Sequence, residues 1–200
     1  RRKIRTLYIG GGTPSTLESQ QFHRLVGGLK ERLNLRPDAE ITAEANPESL
    51  DREKALAWSE AGINRISLGV QSLDQQVLDW LGRAAGPDMT RRAMVLASEV
   101  FEQVSADWIL APGCESRNLA KEFTEAHALG IGHISFYILE WHPQTALAVD
   151  RARGLVQPDD EEKITARYLA AREDLVNLGY RPYEVSNFAQ PGQESRHNAA

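Results

Sequence analysis

Short β-type runs alternate with amphipathic helical patterns along most of this chain, and that alternation restricts its fold more than any other feature. Thr6 to Ile9 is apolar and β-like and breaks at Gly10-Gly11-Gly12-Thr13-Pro14. Ser19 to Leu33 follows with Leu25, Val26, Leu29 and Leu33 at helical spacing. Glu40 to Glu44 reads as a strand ended by Asn46-Pro47, and Asp51 to Ala61 as a helix stopped by Gly62. Arg65 to Val70 is a third strand. Ser72-Leu73-Asp74-Gln75 reads as a capping box for a helix running to Leu81 and stopping near Gly82. Thr90 to Glu99, Asn118 to Leu129 and Asp159 to Leu178 read as helices; Val104 to Leu110, His133 to Leu139 and Tyr183 to Val185 read as strands.

Strand alternating with helix is the mark of a parallel α/β fold, either a barrel or a doubly wound sheet. Each of the first three strands ends in glycine-rich or polar chemistry: Gly10 to Pro14, Glu44 to Pro47, and Gln71-Ser72. Several strand ends feeding one site favour a barrel, whose sites lie at the C-terminal ends of its strands. A partial barrel is therefore expected. The polar, arginine-bearing stretch Ala148 to Pro158 is the candidate boundary.

Composition narrows the function classes. The chain has 200 residues, 42% hydrophobic and 26% charged, as in a folded globular domain. A formal charge of −5 gives no basic field for nucleic acid, and no apolar run reaches the ~20 residues of a membrane span. The only cysteine, Cys114, excludes an internal disulfide and a multi-cysteine metal site within the chain. His23, His127, His133, His142 and His197 show no metal-ligand spacing and read as structural residues; Cys114 reads as an incidental loop cysteine.

Gly10 to Pro14 is neither a Walker A loop nor a dinucleotide fingerprint, because no Gly-Lys-Ser/Thr follows and Ser15 stands where a third spaced glycine is needed. Its glycines expose backbone to a ligand or make a tight turn. Glu44 is either an acceptor for a ribose or ammonium group or a solvated strand end. Gln71 bonds either a ligand or the backbone. Asp107, in an apolar strand, needs a specific partner, for which Arg83 and a bound ligand are both candidates. These residues by themselves point to an α/β barrel binding a small polar ligand.

The conjunction is more specific than its parts. Tyr8 to Ser15, Glu44-Ala45-Asn46-Pro47, Asn64 to Ser72, His133 to Tyr137 and Tyr183-Glu184-Val185-Ser186-Asn187-Phe188-Ala189 occur in this order. Together they resemble the radical S-adenosylmethionine family of oxygen-independent coproporphyrinogen III oxidases. The last stretch, with Arg196-His197-Asn198, resembles the branch of HemW-type heme chaperones. The resemblance implies a (β/α)6 radical SAM barrel, a [4Fe–4S] cluster bound by a Cys-x-x-x-Cys-x-x-Cys loop after the first strand, and S-adenosylmethionine (SAM) on that cluster. Carried over by motif, Gly11, Gly12 and Thr13 face the methionine end of SAM and Glu44 binds it. Gln71, Arg83 and Asp107 match SAM contacts of the oxidase branch, with Arg83 expected on the helix after the third strand. His197 is the heme-binding candidate; no metal ligand and no catalytic residue is assigned.

Two departures stand out. The family usually reads Asp-Leu-Ile-x-Gly-Leu-Pro-Gly, whereas Asp107-Trp108-Ile109-Leu110-Ala111-Pro112-Gly113 is one residue shorter. The cluster motif is also absent. The expectation is a piece of a longer cytoplasmic protein that lacks the first strand and cluster loop and is inactive alone. Residues 1–150 are then the barrel core, and 151–200 a flank leading to a domain outside the chain. The expected task is heme delivery to a client protein. The alternatives are a true oxidase acting on a porphyrinogen, and a cluster-free barrel that only binds a ligand or partner.

Overall fold

The computed structural model describes residues 3–112, 117–141, 145–154 and 160–199. Five strands pair parallel in chain order: β1 (Ile4–Ile9), β2 (Leu35–Ala45), β3 (Arg65–Gln71), β4 (Gln103–Leu110) and β5 (His133–Ile138). Two short strands, β6 (Arg181–Glu184) and β7 (Asn187–Ala189), form a hairpin whose β7 pairs antiparallel with β5. The seven-stranded order is β1-β2-β3-β4-β5-β7-β6. Between the strands lie α1 (Ser19–Arg32), α2 (Arg52–Ala61), α3 (Gln75–Trp80), α4 (Pro87–Val100), α5 (Leu119–Ala128), α6 (Ala146–Ala152) and α7 (Glu161–Asn177).

β1 and β5 are four strand spacings apart, about 19 Å in a flat sheet. Yet Tyr8 of β1 and Tyr137 of β5 line one chamber of about 120 Å³. The sheet is therefore curled into a half-barrel, as the polar strand ends led us to expect. Its two faces follow from the period of a strand. Ile41, Ala43, Ile66, Leu68, Ala106, Trp108, Ile134 and Phe136 point outward and pack under Phe22, Val26, Trp58, Met94, Phe123 and Leu175 of the helices. Phe22 and Trp58 stack at 4.1 Å between α1 and α2. The alternate residues face inward and are mostly polar: Thr42 and Glu44, Arg65 and Ser67, Ser105 and Asp107, His133 and Ser135. The lumen is therefore lined by polar groups rather than filled by an apolar plug.

Several local expectations need correction. α1 buries Phe22 and Val26, while Leu25 stays exposed, because only the former share the face above the sheet. β2 begins at Leu35, earlier than its apolar run, since edge pairing with β1 carries it through Pro37 and Asp38. The capping box is not formed. Asp74 is the N-cap of α3, accepting from Gln76 N and Val77 N, and Ser72 Oγ instead bonds Glu122 and Asp74 N. α3 ends at Trp80, so Arg83 lies beyond it, past Gly82 at φ +66°. Cys114 and His142 lie outside the described residues. No helix among the described residues is long and apolar enough to cross a membrane.

Candidate functional site

The strands' C-terminal ends form a rim. β1 ends at Gly10, where an added Cβ would sit 2.8 Å from both the Glu44 carboxylate and the Tyr8 ring. Only glycine allows the backbone to pass this close. Gly11 (φ +80°) and Gly12 (φ +67°) continue the turn in left-handed conformations, and Thr13 follows at φ +100°. For threonine that conformation is strained, at roughly 1–3 kcal/mol. Glu44, at the end of β2, accepts from Tyr8 Oη (2.8 Å) and from Gly11 N (3.1 Å). Its carboxylate thus ties the glycine turn to the second strand. Burial, reinforced by the Glu44 charge, raises the Tyr8 phenol far above its ordinary value, so Tyr8 stays a donor.

Gln71 ends β3 in an unusual way. One extra residue enters β3 between Leu68 and Gln71 in its pairing with β4, and such a bulge re-aims the side chains beyond it. Gln71 is left at φ +65°, and its Oε1 is buried without a hydrogen-bond partner. Arg83 swings back over the same strand end, where Nη2 donates to Asn46 Oδ1 (2.8 Å) and Gly69 O (3.0 Å). Gly69 leaves room for this, since a Cβ there would meet Asn46, Gln71 and Arg83 within 2.9 to 3.3 Å.

Asp107 of β4 is not paired with Arg83. It is held by Ser67 Oγ at 3.4 Å and by the Ser135 hydroxyl. Burial pushes its carboxyl up to about 6; the Ser135 and Ser67 hydroxyls oppose that rise and the Glu44 charge adds to it. Asp107 and Gln71 open on a cleft of about 900 Å³ whose other walls include Ile109, Tyr137, Ile138, Tyr168 and Val185. The structure thus gathers Gly11, Gly12, Thr13, Glu44, Gln71, Arg83 and Asp107 along one rim. Sequence reasoning missed Tyr8, which sits two residues before Gly10 and so faces the same side of β1.

His197 lies elsewhere. It is exposed, stacks on the far side of Tyr8 at 5.0 Å, and its Nδ1 is 3.3 Å from Thr6 Oγ1. Around it, residues 193–198 close the N-terminal ends of the strands. Glu40 accepts from Ser195 Oγ, Arg196 N and His197 N and pairs with buried Arg65 at 3.8 Å. His133 bridges Ser105 Oγ (2.6 Å) and Tyr183 Oη (2.8 Å). Burial, with the Arg65 charge adding, holds its imidazole down at about 3. No group of three or more His, Cys, Asp or Glu placed to hold a metal occurs among the described residues. With a single cysteine, the chain supplies no ligand set for an iron–sulfur cluster.

Comparison with known proteins bears on the family and the fold. The chain is 36% identical to the heme chaperone HemW of Escherichia coli over 98% of its own length and 52% of that protein's. It is 37% identical to the Lactococcus lactis heme chaperone HemW, again over 98% of this chain and 52% of the relative. The chain therefore spans about half the length of the curated relatives it matches. In fold it is similar to the coproporphyrinogen III oxidase HemN of Escherichia coli, with a TM-score of 0.81 and 23% identity over 96% of this chain and 45% of that one. The Radical SAM superfamily model matches residues 1–113, more than half the sequence. The chain belongs to the radical SAM superfamily.

Proposed function

We propose that this chain is the ligand-binding part of a HemW-like radical SAM protein that binds SAM along the rim and delivers heme to a client protein in the cytoplasm. The observation that carries the SAM reading is Gln71, held at φ +65° with a buried Oε1 that no protein donor satisfies. Such an atom costs about 1–3 kcal/mol unless a ligand hydroxyl or amine donates to it. Gly10 supports the same reading, because its missing Cβ lets the glycine turn pass against the Glu44 carboxylate. SAM carries an ammonium and a sulfonium, and the carboxylates of Glu44 and Asp107 suit a cationic guest. The turn of Gly11, Gly12 and Thr13 faces the methionine end of SAM in this reading, and Arg83 closes the strand-end side. The [4Fe–4S] cluster that the family implies finds no ligands here; we assign its thiolates to sequence outside these 200 residues. Residues 1–150 are the barrel core in this reading, and 151–200 a flank carrying the last two strands.

Similarity to HemW relatives at 36–37% identity supports the heme reading, with exposed His197 as the heme-binding candidate. The test uses the full-length protein, reconstituted anaerobically. Saturable SAM binding, a Soret band on heme addition that is lost in His197→Ala, and no consumption of coproporphyrinogen are expected. Conversion of coproporphyrinogen would make it an oxidase. Absence of SAM binding would leave only a cluster-free ligand- or partner-binding barrel.

A further inference from the structure

A buried ion pair lies directly behind the rim, on the outer side of β3 and β4. Arg117 and Glu122 meet at 2.8 Å, and their side chains are 0% and 7% exposed. Apolar side chains of the same volume commonly stabilise a core as well as such a pair does. Stability alone does not explain the pair, and its contacts point to a second role. Glu122 accepts from Ser72 Oγ, Leu73 N and Trp108 Nε1 as well as from Arg117. Arg117 spends its remaining donors on two strand ends: Nη1 on Ile109 O (2.5 Å) and Nη2 on Gln71 O (2.9 Å). The guanidinium thus grips the carbonyl of the one residue in β3 with positive φ, and Glu122 grips the two residues after it. Glutamine does not hold a left-handed conformation without such over-determination.

We propose that Arg117, oriented by Glu122, is a positioning residue that fixes the backbone of Gln71 and thereby presents its side-chain oxygen to the ligand. This rests on the reading of Gln71 as a SAM contact. Arg117 does not touch the cleft through its own side chain; it acts through the β3 end. Only a forked, planar cation reaches Gln71 O, Ile109 O and both Glu122 oxygens together, so lysine keeps the charge but not the grip.

The experiment is a double-mutant cycle on the full-length protein, using Arg117→Lys, Gln71→Ala and the double variant, with SAM affinity and the thermal midpoint read separately. Arg117→Lys is expected to weaken SAM binding about tenfold when Gln71 is present and less than about twofold in the Gln71→Ala background, the non-additivity of residues acting as one unit. The shift in thermal midpoint should be the same in both backgrounds. An equal loss of affinity in both, or no loss in either, would overturn the positioning role. If Gln71→Ala binds SAM as wild type does, or wild type binds none, it is the SAM reading that fails. The positioning claim is then decided by a crystal structure of Arg117→Lys: Gln71 leaving positive φ supports it, and Gln71 unchanged overturns it.

Discussion

The two ends of the half-barrel use similar side chains to opposite effect. At the N-terminal ends of the strands, Glu40, Arg65, His133 and Tyr183 bond one another and the 193–198 segment, and the chain closes over them. At the C-terminal ends, Gln71 and Asp107 open on the 900 Å³ cleft, and Glu44, tied to the glycine turn, lines the 120 Å³ chamber. Strain also divides unevenly, since Thr13 and Gln71, the non-glycine residues with positive φ among those described, are both on the rim. The closed end spends polar groups on holding the sheet together; the open end holds them in place for something that arrives. Two atoms blur the contrast. Arg65 Nη2 and Thr42 Oγ1 are buried without protein partners, and their residues line the 120 Å³ chamber between the two ends.

The largest expected effect comes from breaking the closed end. Glu40→Ala removes the acceptor of three donors and the partner of Arg65, and should cost about 3–5 kcal/mol in urea unfolding, the usual penalty for orphaning a buried charge. SAM affinity of the folded fraction should not change. His133 adds a pH signature there. Its imidazole titrates near 3 when folded and near 6.5 when unfolded, so its stabilisation is intact above pH 6.5 and lost as pH falls toward 3. The loss should approach about 1.4 kcal/mol per pH unit, absent in His133→Gln.

The open end should behave in the opposite sense. Asp107 is raised to about 6 from 3.8, so its charge opposes folding above pH 6 and the burden vanishes below pH 4. Asp107→Asn should therefore stabilise the protein at pH 7.5 by about 1–3 kcal/mol, with no gain at pH 3.5, measured by urea unfolding at both values. Gly10→Ala is the smallest perturbation. Its methyl must displace Glu44 or Tyr8, costing about 1–2 kcal/mol in thermal unfolding and loosening SAM binding in equilibrium dialysis.

Much of this contrast was legible in the sequence, though not evenly. Glycine turns and lone carboxylates at strand ends marked the open end, because those residue types interrupt an otherwise apolar run. The closed end was missed although its signal was present. Glu40-Thr42-Glu44, Arg65-Ser67, Ser105-Asp107 and His133-Ser135 repeat polar residues at period two, the mark of a polar lumen. Reading those strands as apolar runs hid it, and hid Tyr8 with it. Arg117 and Glu122 left no comparable trace: a loop arginine and a glutamate beside Lys121 look like surface charge until the fold brings α5 behind β3. The last hairpin was half seen, because β7 has only three residues and Pro182 argues against a strand except at an edge.

The most direct measurement of the division between the two ends is SAM affinity in the full-length protein with Glu44→Gln beside Glu40→Gln. The account predicts that Glu44→Gln weakens binding about 10- to 100-fold, the worth of a charge-assisted hydrogen bond, with little change in unfolding midpoint. Glu40→Gln should lower the midpoint and leave the affinity alone. Unchanged affinity in Glu44→Gln, or an equal loss in both variants, would contradict it.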